Sequence, residues 1–183
     1  VVVFGGPNFP LTSDEQESFL VKHPSIDFFV FREGEIAFSL LLEELMQNNF
    51  NFHLLKKGQK DLPNTYYIDH EGLNSGTSLE PIRELESLPS PYLSGLLDEI
   101  LSDDKVTPLL QFARGCPFKC SFCQEGEAYF NKVRRFPLDG IKKELRYLAE
   151  RTKSPILQLA DSNFGMYKAD IEICNEISSI QDE

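Results

Sequence analysis

The sequence predicts an α/β fold, and three observations carry that prediction. Short apolar runs alternate with longer runs of helical period. The first two apolar runs end in glycine-containing turns. A later one delivers a loop that holds three of the chain's four cysteines. Short, nearly continuous apolar runs bounded by turn residues suit strands covered on both faces. Strand–helix alternation is the rhythm of an open α/β sheet, whose ligands gather at the carboxyl ends of the strands. A chain of 183 residues with 41% hydrophobic residues has room for one or two packed cores.

Taken in order, residues 1–4 read as a buried strand ending at Gly5-Gly6-Pro7. Ser13-Asp14-Glu15-Gln16 has the form of a capping box and opens a helix to about Lys22, which His23-Pro24 stops. Residues 26–31 form the next apolar run, and Arg32-Glu33-Gly34-Glu35 the next turn. A helix follows over 36–48 with Ile36, Leu40, Leu41, Leu45 and Met46 as its apolar stripe. Residues 51–104 read as a connector, with strands at 51–55 and 65–68, an ordered proline-rich stretch at 81–91 and a helix over 92–101.

Residues 107–112 then read as the strand that leads into the cysteine loop, with Gly115 and Pro117 shaping its first bend. Pro137 suits the first position of a helix, in which Leu138, Ile141, Leu145 and Leu148 recur at steps of three, four and three. Ser154-Pro155 breaks it. Residues 156–160 are the next strand, Asp161 to Gly165 its terminal turn, and 168–180 a last helix that buries Ile173, Cys174, Ile177 and Ile180. The expected organisation is therefore 1–50, 51–104 and 105–183.

The chemistry is concentrated in Cys116, Cys120 and Cys123, spaced Cys-x3-Cys-x2-Cys. Thiolates are the usual ligands of iron–sulfur clusters. Three of them on a four-iron cubane leave one iron open to a small molecule. The alternative is a structural zinc site, but such sites are closed by four ligands, and His70 and Cys174 are the distant remainder here. A disulfide framework belongs to short secreted chains with even cysteine counts.

The net charge of −11 argues against a broad polyanion-binding surface, so no nucleic-acid partner is indicated. Residues 116–153 are the exception, with nine basic against five acidic side chains. They form either an attractive field for an anionic substrate or the solvated face of a helix. No apolar run is long enough to span a bilayer, and few cysteines outside the loop point to a reducing, cytoplasmic compartment. No phosphate loop or dinucleotide fingerprint occurs.

The cysteine spacing, with the aromatic Phe122 just before the third cysteine, resembles the signature of the radical S-adenosylmethionine (SAM) superfamily. Gly-Gly-Pro after a strand, His-Pro-x-Ile-Asp, a second strand and Glu-Gly-Glu opening a helix resemble the second half of the cobalamin-binding domain that precedes the barrel in one branch of that superfamily. The resemblance implies the C-terminal half of a Rossmann-like cobalamin-binding domain followed by the first two β/α units of a partial (β/α)6 barrel. It makes Cys116, Cys120 and Cys123 ligands of a 4Fe-4S cluster, with Phe122, Asp161 and Asn163 near SAM. Asp161 and Asn163 also read simply as caps of the turn they occupy.

The same resemblance brings Gly5, Gly6, Pro7, Glu33, Gly34 and Glu35 to the nucleotide tail of cobalamin. The family pattern at the second turn is Gly-Glu-Gly-Glu, and this chain has Arg32 at its first position. The implied activity is reductive cleavage of SAM to a 5′-deoxyadenosyl radical, with methyl transfer to an unactivated carbon of a small molecule. An electron donor such as a flavodoxin or ferredoxin is implied as partner. Cyclisation or rearrangement without methyl transfer, and a non-catalytic iron–sulfur or zinc protein, are the alternatives. Because Val1 to Phe4 reads as the middle of a fold, the chain is expected to be a fragment truncated at both ends and inactive alone.

Overall fold

The structure is a computed structural model and describes residues 1–58 and 60–183. Two compact units divide it, Val1–Pro81 and Ile82–Glu183. The stretch read as a connector is shared between them.

In the first unit, β1 (Val3–Gly6) and β2 (Phe28–Phe31) pair in parallel, with Phe4 opposite Phe29 and Gly6 opposite Phe31. All four residues of β2 are buried, which explains its unbroken apolar run. The two-residue period splits them between two cores. Phe28 and Val30 pack with Ala37, Leu41 and Leu45 of helix α2 (Glu35–Gln47), whereas Phe29 and Phe31 pack with Phe9 and with Leu20 of α1 (Ser13–Lys22). Phe9 lies flat on Phe29, ring centroids 4.1 Å apart. β3 (Thr65–Asp69) joins β2 antiparallel, and β4 (Gly72–Ser75) closes the sheet as a hairpin in the order β1-β2-β3-β4.

Several local expectations change. The strand expected at 51–55 is replaced by helix α3 (Phe52–Lys57), because the Asn51 carboxamide accepts the Leu54 amide at 3.3 Å and caps the turn. α1 is entered one residue early: Thr12 is the N-cap residue and donates its hydroxyl to Glu15 at 2.8 Å, while Gln16 reaches back to the Pro10 carbonyl. α2 buries Ala37, Leu41 and Leu45, leaving Ile36, Leu40 and Met46 exposed. β1 lies at the sheet edge, and Val1, Val2 and Phe4 are exposed rather than buried.

In the second unit, a short helix α4 (Asp98–Leu101) stands where a longer one is expected; residues before it are held in turns, with Tyr92 Oη donating to the Leu109 carbonyl at 2.8 Å. The strand expected at 107–112 is divided. β5 (Leu109–Leu110) pairs in parallel with a later strand, and β6 (Ala113–Arg114) pairs antiparallel with β7 (Arg134–Arg135), so that the cysteine loop is carried between β6 and β7.

Helix α5 (Leu138–Arg151) buries Ile141, Leu145 and Leu148 as its periodicity predicts, and Pro137 is its N-cap rather than its first helical residue. β8 (Gln158–Leu159) is the parallel partner of β5, and α6 (Lys168–Asp182) buries Ile173 completely against Leu110, Phe112 and α5. Cys174 faces outward, one position round the helix from Ile173, and is not a core residue. The whole is a mixed α/β fold.

Candidate functional site

The cysteine loop leaves β6 at Gly115. Its φ of +93° is left-handed backbone, and a Cβ there would sit 2.5 Å from the Lys132 carbonyl oxygen. Only glycine lets the two sides of the loop approach so closely. The next amide, of Cys116, donates to the Phe130 carbonyl at 2.8 Å, and the Cys123 amide donates to the Cys120 carbonyl at 3.1 Å. Cys116 is half-buried; Cys120 and Cys123 are exposed. Phe122 points into solvent, 91% exposed. Among the described residues, no group of three or more histidine, cysteine, aspartate or glutamate side chains is gathered closely enough to hold a metal ion.

Residues 161–163, just beyond β8, reach the cysteine loop at two places and the residue just before β6 at a third. Asp161 accepts the Phe112 amide at 2.6 Å, just before β6. Ser162 donates to Glu125 at 2.7 Å, two residues beyond the third cysteine. Asn163 Oδ1 lies 3.7 Å from the Cys116 thiol, in hydrogen-bonding position for sulfur. The Asn163 Nδ2 group is buried without a partner. Burial pushes the Asp161 carboxyl above the ordinary carboxylate range, against the backbone bonds from Phe112 and Ala113 and the nearby Arg135 charge.

Asp170, on the first turn of α6, anchors this turn from behind. Its carboxylate accepts the Gly165 and Tyr167 amides, each at 2.9 Å, and pairs with Arg135 of β7. The Arg135 guanidinium also lies over the Tyr167 ring, 5.0 Å from its centroid. Sequence reasoning missed Arg135, Asp170, Ser162 and Glu125. The one signal for Asp170 was its place three residues beyond the helix entry, where a carboxylate can fold back onto N-terminal amides.

In the first unit the two glycine turns lie side by side at the carboxyl ends of β1 and β2. The Arg32 amide donates to the Gly6 carbonyl at 3.3 Å and joins them. Gly6 has φ +117° and nothing within 4 Å of where a Cβ would stand, so the backbone there faces open space. Arg32 itself has φ +69°, a left-handed conformation that suits the glycine of the family pattern better than arginine. Gly34 is the N-cap of α2, Glu33 is half-buried and Glu35 exposed, and the Pro7 carbonyl accepts the Phe9 amide.

The residues present fit the groups that the resemblance implies by their chemistry. Three thiols on one loop suit an iron–sulfur cluster, and the buried Asn163 amide next to Cys116 suits a carboxylate-bearing ligand beside it. The open backbone turn at Gly6 suits a large group lying against it.

Fold and site define a mixed α/β protein whose three-cysteine loop is carried by an antiparallel strand pair that follows a parallel one. No family model matches the chain. It is 31% identical over 97% of its length to the 2-(S-pantetheinyl)-carbapenam-3-carboxylate methyltransferase of Streptantibioticus cattleyicolor, and 28% identical over its whole length to the cobalamin-dependent radical SAM methyltransferase TokK of Streptomyces tokunonensis. It spans about a quarter of the length of these relatives. Among solved structures, the cobalamin-dependent SAM radical enzyme OxsB with aqua-cobalamin and SAM bound superimposes on all of this chain, and on 24% of its own, with TM-score 0.60 at 22% identity. Its homologues include cobalamin-dependent radical SAM methyltransferases.

Proposed function

We propose that the chain belongs to a methyltransferase that cleaves SAM reductively and methylates an unactivated carbon of a small molecule, its first unit being part of a cobalamin-binding domain and its second the opening of a partial (β/α)6 barrel. The observation that carries this reading is the Cys-x3-Cys-x2-Cys loop, carried between β6 and β7 just after the parallel strand β5, in a chain that aligns over 97% of its length or more with two curated methyltransferases. Cys116, Cys120 and Cys123 would hold a 4Fe-4S cluster, and Gly5, Gly6, Pro7, Glu33, Gly34 and Glu35 would lie along cobalamin. When bound, the cluster supplies the single electron that cleaves SAM, and cobalamin carries the methyl group.

The chain's own residues contribute orientation. The Asn163 Nδ2 group, buried and unpartnered beside Cys116, offers a donor to the carboxylate of an amino-acid-like ligand. Phe122, fully exposed, offers an apolar face to SAM.

The test, made on the full-length protein, is anaerobic reconstitution with iron and sulfide, reduction, and incubation with SAM. The expected result is 5′-deoxyadenosine from the wild type and none from Cys120→Ala. A colourless protein that retains zinc, or an equal yield from the variant, would refute the reading.

A further inference from the structure

We propose that residues 161–163 form a strap that sets the path of the cysteine loop before any ligand arrives, with Asp161 a positioning residue rather than a SAM contact. The purpose given to the loop rests on the cluster reading above; the strap itself does not.

Three adjacent side chains bond the loop at its root, at its first cysteine and beyond its last: Asp161 to the Phe112 amide at 2.6 Å, Asn163 to Cys116 at 3.7 Å, Ser162 to Glu125 at 2.7 Å. The partners lie 37 to 49 residues away in sequence, so no local turn requirement explains them. A carboxylate that only capped its own turn would bond amides within a few residues of itself. Asp161 instead uses its Oδ1 to accept the Phe112 amide, between β5 and β6. The strap is itself held: Asp170 fixes the Gly165 and Tyr167 amides and is tied through Arg135 to β7, on the far side of the same loop.

An exposed loop that must present three thiols to one cluster loses conformational entropy on binding. A strap that restricts the loop beforehand lessens that loss. Because Asp161 acts by accepting a hydrogen bond, its charge is dispensable and its Oδ1 is not.

Thiol alkylation of the metal-free full chain, read cysteine by cysteine by mass spectrometry, needs no cofactor and decides the matter. Asp161→Ala should quicken alkylation of Cys116 on the order of tenfold, the effect of one lost buried hydrogen bond. Asp161→Asn, which keeps the acceptor, should stay within about twofold of wild type. Ser162→Ala should quicken Cys123 and leave Cys116 unchanged, and it serves in place of Asp161→Ala should that variant fail to fold.

In the iron-loaded protein, equilibrium dialysis should give Asp161→Asn the SAM affinity of the wild type. If Asp161→Asn loses SAM affinity as Asp161→Ala does, the carboxylate contacts SAM and the proposal fails. It fails equally if neither alanine variant changes any alkylation rate. A wild type that takes up no iron would defeat the proposed function while leaving the alkylation result to judge the strap.

Discussion

Asp170 is 1% exposed, the most deeply buried carboxylate among the described residues, and the balance at this one side chain has a measurable sign. Burial alone would raise its pKa. The hydrogen bonds from Tyr167, Arg135 and Gly165, with the Arg135 charge, outweigh burial and hold the carboxyl below its ordinary range. A folded-state pKa lower than the unfolded one stabilises above the unfolded value, about 3.9, and that contribution fades as pH falls through the folded value. Asp161, raised chiefly by burial, works the other way: protonation relieves it, so its unfavourable contribution shrinks on acidification. Wild-type stability should therefore fall below about pH 4 more steeply than that of Asp170→Asn. Urea midpoints measured across that range check it, and parallel slopes would be the contrary result. At neutral pH, Asp170→Ala leaves Arg135 and two amides without their acceptor and should cost about 3 kcal/mol.

Elements were legible wherever a repeated spacing had a single explanation. The steps between Leu138, Ile141, Leu145 and Leu148 admit only a helix with one buried side, and α5 buries three of the four. The apolar run of β2 could be read because both of its faces are covered. Residues 51–55 misled because a short apolar run fits a strand or a helix equally, and the Asn51 cap that decides the matter is one side-chain bond. The stripe of α2 was set too wide, since Leu40 and Met46 are apolar yet exposed, and apolar identity alone does not say which side is covered. The strap was illegible for a further reason: its bonds join residues 37 to 49 apart, and one sequence carries no record of such pairings. α5 also offers the sharpest energetic expectation at this scale. Leu145 is 4% exposed and packs in the core with Phe112 and Ile173, so Leu145→Ala should destabilise the chain by about 2–5 kcal/mol. Equilibrium urea denaturation measures it, and a loss below about 1 kcal/mol would mean that this core repacks freely.

At the scale of the molecule, the residues expected to meet cobalamin all fall in Val1–Pro81, and the cysteines with their strap all fall in Ile82–Glu183. Each unit has its own buried core. The chemistry of the two sites differs as well, backbone at a glycine turn in one and thiols on a loop in the other. If, as proposed, cobalamin and the cluster are held by different units and different chemistry, the two binding events should be separable by single substitutions. Gly6→Val places a branched side chain in left-handed backbone and in the open space facing the turn. It should lower retention of hydroxocobalamin after gel filtration at least about tenfold, the scale of 1.4 kcal/mol in binding, while iron per chain stays at the wild-type level. Cys120→Ala should do the reverse, abolishing iron retention with corrinoid uptake unchanged. If Gly6→Val retains the corrinoid, the turn is not its contact. If Gly6→Val also loses iron, the two units do not hold their ligands separately, and the division of labour between the glycine turns and the cysteine loop has to be abandoned.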